Sequence, residues 1–429
     1  MSFEQGLVPT NVDPIQLQFG IGPEFIGYFV GAYTLTLAVM TLIFGYLTDK
    51  QKRINLMLVG AIIWSSCAIL SYFSGIIFVN FPVFVIVRVL AGIGLGCMTP
   101  VGFSLLTDVI SSKSRSKAFA IWGIATLIGA AAGALIGGDL LATFKKTGQI
   151  DLWGDPFLFI GVIGMFLIAF LVLFSEPKRA AMEDKLKDLL SKQGLAYSYR
   201  IKRSDLKNIY KRRSNFWLII NFVDTIYPGL LLLWVFKYLA ESFNLAEGVL
   251  TTELLIFLGL VLLGLLVGTV IFAWLGDRLV KKGDIGGRAK VAVWCAILTN
   301  PFVIVAFIEP LSNQNFLWMG IVLAVGMAIN SGIGPNWYAS IIDVNLPENR
   351  GTMIATASFL DNIGRSIGQI IGGIMIASLA SVFLAFQWAT IFVVLQIPFW
   401  IPVMFYVRKD LTEVQDILAE RAKELEASI

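Results

Sequence analysis

Eleven stretches of about twenty mostly apolar residues follow one another along this chain. Each is long enough to cross the roughly 30 Å hydrocarbon core of a bilayer as a helix. They lie at about 22–47, 54–78, 82–107, 117–142, 157–174, 215–239, 252–275, 289–309, 316–341, 351–379 and 382–407. Inside lipid every backbone N–H and C=O must find its partner within the protein, so runs of this length are read as helices. Composition agrees: 57% of the residues are hydrophobic and 14% charged, against roughly 25% charged in soluble domains. The chain reads as an all-α, multi-pass protein of the cell membrane. Its apolar runs are too many for one cleaved leader, and its 40 glycines suit close helix packing in lipid.

The residues it lacks narrow the function. There is no histidine, which excludes imidazole catalysis, HExxH metal sites and histidine proton relays. No GxxxxGK[ST] phosphate loop is present, which argues against an ATP-driven pump. The three cysteines, Cys67, Cys97 and Cys295, all fall in apolar runs and read as small core residues rather than metal ligands or a disulfide framework. No catalytic constellation, metal, cofactor or nucleic-acid partner is expected, and the chain is expected to work as a monomer in membrane lipid.

Lys and Arg set the expected orientation. One set of alternate loops holds Lys50, Lys52 and Arg53, then Lys113, Arg115 and Lys117, then twelve basic residues between 178 and 213. Arg278, Lys281, Lys282, Arg288, Lys290, Arg350 and the C-terminal tail continue the series, whereas the other set holds only Lys145 and Lys146. The basic side is expected to be cytoplasmic. The start of the chain, with Glu4 and Asp13 and no Lys or Arg before residue 20, is expected outside. In the long loop 175–214, Met182, Leu186, Leu189 and Leu190 keep helical spacing among charges, as in an amphipathic helix on the inner leaflet. Leu411, Val414, Leu418, Ala422 and Leu425 space another helix face in the tail.

The two halves match at a spacing of 235. Pro100, Asp108 and Arg115 answer to Pro335, Asp343 and Arg350; Gly129, Gly133, Gly137 and Gly138 answer to Gly364, Gly368, Gly372 and Gly373. Two homologous six-helix bundles joined by a basic loop follow, an architecture used by transporters with a site between the halves. The expected domains are a first bundle at 1–174, holding an outer segment 1–21 and spans two to six, and a linker at 175–214. A second bundle at 215–407 holds spans seven to twelve, and a tail helix follows at 408–429. At this spacing the counterpart of the span starting near 215 would precede Met1. The first helix is therefore expected to be missing and residues 1–20 to be the outer loop after it. A start placed too far downstream is the expected cause, and an eleven-helix variant the alternative.

The first basic loop reads GYLTDKQKR, Gly45 to Arg53. It resembles the G-x-L-x-D-[RK]-x-x-[RK] signature of the major facilitator superfamily, and AWLGDR, Ala273 to Arg278, resembles a second copy. Glycine lets two helices touch, and an aspartate is favoured facing a helix N-terminus. Arg53 and Arg115 can reach Asp108, and Arg350 can reach Asp343. The resemblance implies that Gly45, Asp49, Arg53, Asp108, Arg115, Asp277, Arg278, Asp343 and Arg350 latch the cytoplasmic side when the protein opens outward. The segment RVLAGIGLG, with Arg88, is similar to the Spinster-type branch, whose members handle lipids and related amphiphiles. That branch carries an acidic residue in its first helix and a glutamate where this chain has Leu95.

Charges inside spans are costly, at least about 2.5–3.5 kcal/mol each on insertion scales, and so are candidates for function. Asp361 lies near the middle of its span, with Arg365 one turn on along the same face. Arg88 lies about two turns into its own span, and Asp224 shares a helix face with Asn221. Asn330 and Asn336 flank the break SGIGPNW. Asp361 and Arg365 answer to Thr126 and Ala130 in the first half, so the repeat accounts for the glycines around them and leaves the charges unexplained by packing. Arg88, Asn221, Asp224, Asn330, Asn336, Asp361 and Arg365 are therefore the candidate substrate or ion groups. They suit a secondary active transporter of a small or amphiphilic, lipid-like solute, working by alternating access with a proton or sodium ion. A gradient-independent lipid translocator or a membrane sensor of the same fold is the alternative.

Overall fold

The computed structural model describes residues 2–21, 23–179, 182, 212–243, 252–379 and 381–427. Among the described residues there is no strand, and ten helical stretches are long and apolar enough to cross a membrane. The remaining expected span is present as the 30-residue helix Arg350–Leu379, the one whose middle carries Asp361 and Arg365. Leu186, Leu189 and Leu190 of the expected linker helix lie outside the described residues. The chain forms two compact units, one of 1–102, 125–176 and 245–249, the other of 103–124, 177–244 and 250–429.

The helices of the first half are α1 (Ser2–Thr10), α2 (Val12–Phe19), α3 (Pro23–Lys50), α4 (Arg53–Tyr72), α5 (Phe81–Leu95), α6 (Met98–Val109), α7 (Arg115–Thr147) and α8 (Asp155–Val172). Residues 1–20 were expected as an outer loop, and this is corrected: 2–10 and 12–19 are helical and packed. Leu7 and Ile15 are buried in one cluster with Phe29, Phe84, Trp153 and Phe157. Pro9, Asn11 and Pro14 make the segment look like a loop in sequence. Yet Pro14 sits in the first turn of α2, where its missing N–H is not needed, and Pro9 falls one residue before α1 ends. Gly20 closes α2 in the left-handed region at φ 63°, its N–H donating to the Gln16 carbonyl.

Where this segment packs shows what it replaces. A Cβ on Gly133 of α7 would meet the Phe3 carbonyl and the Leu7 N–H; a Cβ on Gly368 would meet the Ile226 carbonyl and the Leu230 N–H. Gly6 abuts the backbone of Ala130, and Gly229 abuts the backbone of Arg365. Phe3, Gly6 and Leu7 thus answer to Ile226, Gly229 and Leu230 at a spacing of 223, although the rest of the repeat runs at 235. Residues 2–19 take the place against α7 that 225–242 take in the second half.

The second half holds α9 (Arg213–Ile220), a 3-10 turn at Asn221–Thr225, and α10 (Ile226–Ser242). Then come α11 (Thr252–Lys281), α12 (Gly287–Ala306), α13 (Phe316–Asn330), α14 (Ile333–Asp343), α15 (Arg350–Leu379), α16 (Val382–Leu395) and α17 (Ile397–Ala427). The tail is continuous with the last span: Leu411, Val414 and Leu418 of α17 are buried. Outward faces stay apolar, as Phe159, Phe166 and Phe170 do along α8, a surface suited to lipid rather than water.

Helix N-termini at the charged ends are closed by distant carboxylates. Glu176 accepts from the Ile54 N–H at the start of α4 (3.0 Å), and Asp410 accepts from the Ser214 N–H at the start of α9 (2.9 Å). Asp277 accepts from the Ser116 and Lys117 N–H groups of α7 (3.3 and 3.1 Å). Each carboxylate satisfies orphan donors and sits in the positive end of a helix dipole.

Candidate functional site

Two charged centres lie within the spans. In the first unit Arg88 of α5 forms a forked pair with Glu4 of α1. Nη1 donates to Oε1 and Nη2 to Oε2, both at 3.1 Å, and the side chains are 3% and 2% exposed. The guanidinium also lies over the rings of Tyr33 (5.1 Å) and Phe157 (4.9 Å), where a cation is attracted by the π face. Two polar atoms around the pair are buried without a partner, Arg88 Nε and the Tyr33 hydroxyl, and the Trp64 indole N–H faces Glu4. The sequence pointed to Arg88 but missed Glu4, because the acid stands in a segment that reads as a loop. Glu4 is thus an acidic residue in the segment that packs against α7 as 225–242 do in the second half.

The second centre lies where α9 gives way to the 3-10 turn and crosses α15. Gly364 abuts Phe222 and Thr225, and the Thr225 hydroxyl donates to the Asp361 carbonyl at 3.0 Å. This contact carries Asp224, the neighbour of Thr225, to Asp361. The two carboxylates interact with one another and with Arg365, whose side chain is exposed. Asp361 is 8% exposed and Asn221 1%. The Asn221 amide, at both Oδ1 and Nδ2, and the Tyr227 hydroxyl are buried with no hydrogen-bond partner, while the Trp400 indole N–H faces Asp224 and Ser358 faces Tyr338. Buried polar groups nearly always find partners, so this concentration of spare donors and acceptors is unusual. Asn221, Asp224, Asp361 and Arg365, chosen from sequence, are thus brought together.

Asn330 and Asn336 are placed differently. Asn330 ends α13 half-buried. Asn336 is fully buried and engaged: its amide donates to the Phe272 and Gly332 carbonyls (3.0 and 2.8 Å) and its oxygen accepts from Ser116 Oγ (3.4 Å). It packs beside Gly276 and has little capacity left for a ligand.

The motif residues form a third set within the second unit. Arg115 donates to Asp343 at 2.8 Å, and Arg288 donates to Asp277 at 2.7 Å and also pairs with Asp343. Arg350 donates from Nε to the Ile342 carbonyl (3.1 Å), and Arg278 is exposed over the Trp274 ring (4.7 Å). Asp108 is buried in the same unit. In the first unit Gly45 and Asp49 are buried, and Arg53 pairs with Glu176 at 2.7 Å. Arg288 was not among the sequence candidates, although the signal was there: it answers to Arg53 at the spacing of 235. Glu348, 5% exposed and paired with Arg421 of the tail at 2.8 Å, was also missed.

The model of the Major Facilitator Superfamily matches residues 1–285. Over 238 residues, 54% of this chain and 49% of the relative, the sequence is 26% identical to the probable L-galactonate transporter of Escherichia coli (strain K12). Over 169 residues, 39% of this chain and 26% of the relative, it is 28% identical to protein spinster of Drosophila melanogaster. The chain thus matches between a quarter and a half of those relatives' length. In fold it resembles the crystal structure of the E. coli fucose:proton symporter FucP, with a TM-score of 0.67 at 14% identity over 95% of this chain and 96% of that one. The family match covers well over half of the chain, and the chain belongs to the Major Facilitator Superfamily.

Proposed function

We propose that the chain is a secondary active transporter of a small or amphiphilic solute, working by alternating access with a proton as the coupling ion. Its two homologous bundles, the 175–214 linker and the 408–429 tail are assigned as expected from sequence. The basic loops, linker and tail face the cytoplasm; the outer end of the first segment is Gly20 at the close of α2, not the start of the chain. The observation that carries this reading is the forked Glu4–Arg88 pair, buried in a chain with no histidine. Such a pair is a two-state element. With Glu4 ionised, both charges are satisfied. With Glu4 protonated, the guanidinium is released to another partner, and Arg88 already has Nε unpaired. Membrane-embedded carboxylates of this kind mark ion pathways. The second centre supplies the solute contacts.

The test uses proteoliposomes with a trapped pH dye, challenged with a panel of sugar acids and single-chain amphiphiles. At least one solute should drive proton flux through the wild type, and Glu4→Gln should abolish proton flux while keeping solute exchange. Equal proton flux in Glu4→Gln would remove the coupling role. Solute flux indifferent to proton and sodium gradients would favour the gradient-independent translocator instead.

A further inference from the structure

We propose that the crossing of the 221–225 turn with α15 holds the protonated primary amine of a transported solute, received by Asp224 and Asp361. This rests on the reading of that centre as a solute site. The two carboxylates share one neighbouring cation, Arg365, and no ion pair joins either of them to it among the described residues. The Glu4–Arg88 pair in the other unit is balanced charge for charge; with both aspartates ionised, this centre carries one carboxylate more than it has cations. A single monovalent cation restores neutrality in a medium where an uncompensated charge is costly.

The hydrogen-bonding inventory points to an ammonium rather than a bare ion. A primary ammonium has three donors and no acceptor. Two carboxylates take two of them, and the unpartnered Asn221 Oδ1 can take the third. Asn221 and Ser358 are 1% and 5% exposed, and each stands three residues before one of the aspartates, on the same helix face. Trp400, fully buried, turns its indole N–H to Asp224, and Tyr338 lies beside Asp361. Aromatic faces next to carboxylates attract organic cations; a sodium ion, bound through oxygen, gains little from them.

The full chain in nanodiscs provides the test, with potassium chloride as the background salt. Addition of n-octylammonium chloride should raise the thermal midpoint of the wild type by several degrees, whereas 1-octanol and sodium chloride should not. Asp224→Asn and Asp361→Asn should each weaken octylammonium binding at least tenfold, and Asp284→Asn, a carboxylate paired with Lys290 elsewhere, should not. The amine assignment is overturned if octylammonium and octanol act alike on the wild type, a comparison that needs no variant. It is equally overturned if sodium chloride alone reproduces the shift, or if both Asn variants keep it. Should it fall while Asp224→Asn and Asp361→Asn still lose gradient-driven flux, the centre remains the solute site with another ligand. If both variants transport like the wild type, both readings fall.

Discussion

Glu4 and Arg88 illustrate how much a single residue can carry in lipid. Breaking a buried ion pair from one side leaves an uncompensated charge and costs about 3–5 kcal/mol, whereas replacing both partners with apolar groups is often neutral. Glu4→Gln should therefore lower the thermal midpoint of the protein in detergent, and Glu4→Gln with Arg88→Met should recover most of the loss. A double variant no more stable than the single one would mean that the pair holds more than its own charges. Glu176 gives a pH test at the same scale. Partial burial would raise its pKa, but the Ile54 N–H and the Arg53 guanidinium outweigh this and hold the carboxyl below its usual range. A depressed folded-state pKa adds stability above the unfolded value of about 4.3, and that stability is lost as pH falls through the folded value. The stability gap between wild type and Glu176→Gln should be widest above about pH 5 and close on further acidification, as followed by thermal unfolding across a pH series. At this scale the sequence exposed charges by their cost, which is why Arg88, Asp224 and Asp361 stood out. It could not show partners: Glu4 hid among prolines and polar residues, and Asn336, conspicuous beside a helix break, spends its amide on packing.

Helices meet here through glycine, and only some glycines do this work. Gly133 and Gly368 face the backbone of a neighbouring helix, where a methyl group would press on a carbonyl that cannot move aside. Gly138, five residues beyond Gly133 in the same helix, has nothing within 4 Å of an added Cβ. Gly133→Ala and Gly368→Ala should each cost about 1–3 kcal/mol as overpacking. Gly138→Ala should be neutral or slightly stabilising, because alanine is the better helix former by up to about 1 kcal/mol. Thermal midpoints of the three variants side by side would check this, and equal losses would refute it. The repeat made all three glycines look alike in sequence, since identity at one spacing does not say what stands opposite. The same limit concealed α1. The spacing of 235 placed the first span's counterpart before Met1, and only the contacts of Gly6 and Gly133 reveal the second spacing of 223 that fits residues 2–19 into the fold.

Across the molecule, the two-fold repeat was the most legible feature, because identical Pro, Gly, Asp and Arg positions are fixed by helix ends and close contacts common to both halves. It also locates the point at which the charged network can be opened. Asp343 receives both Arg115 and Arg288, while Arg288 also holds Asp277, whose carboxylate caps α7. Asp343→Asn removes the charge that two guanidinium groups share. A hydrogen bond to a charged group contributes about 1.5–3 kcal/mol, and each 1.4 kcal/mol shifts a two-state equilibrium about tenfold. Labelling of a single cysteine can read that shift, since Cys67, Cys97 and Cys295 are all buried and give a low background. Ser340, one turn from Asp343 on α14 and 2% exposed, is the place for it. In membranes, Ser340→Cys should react slowly with a permeant maleimide, and adding Asp343→Asn should speed the reaction by at least about tenfold. Adding Asp284→Asn, which breaks only a half-exposed pair with Lys290, should leave the rate as it was. An unchanged rate in Asp343→Asn would mean that helix packing alone, through Asn336 and its neighbours, keeps position 340 shielded.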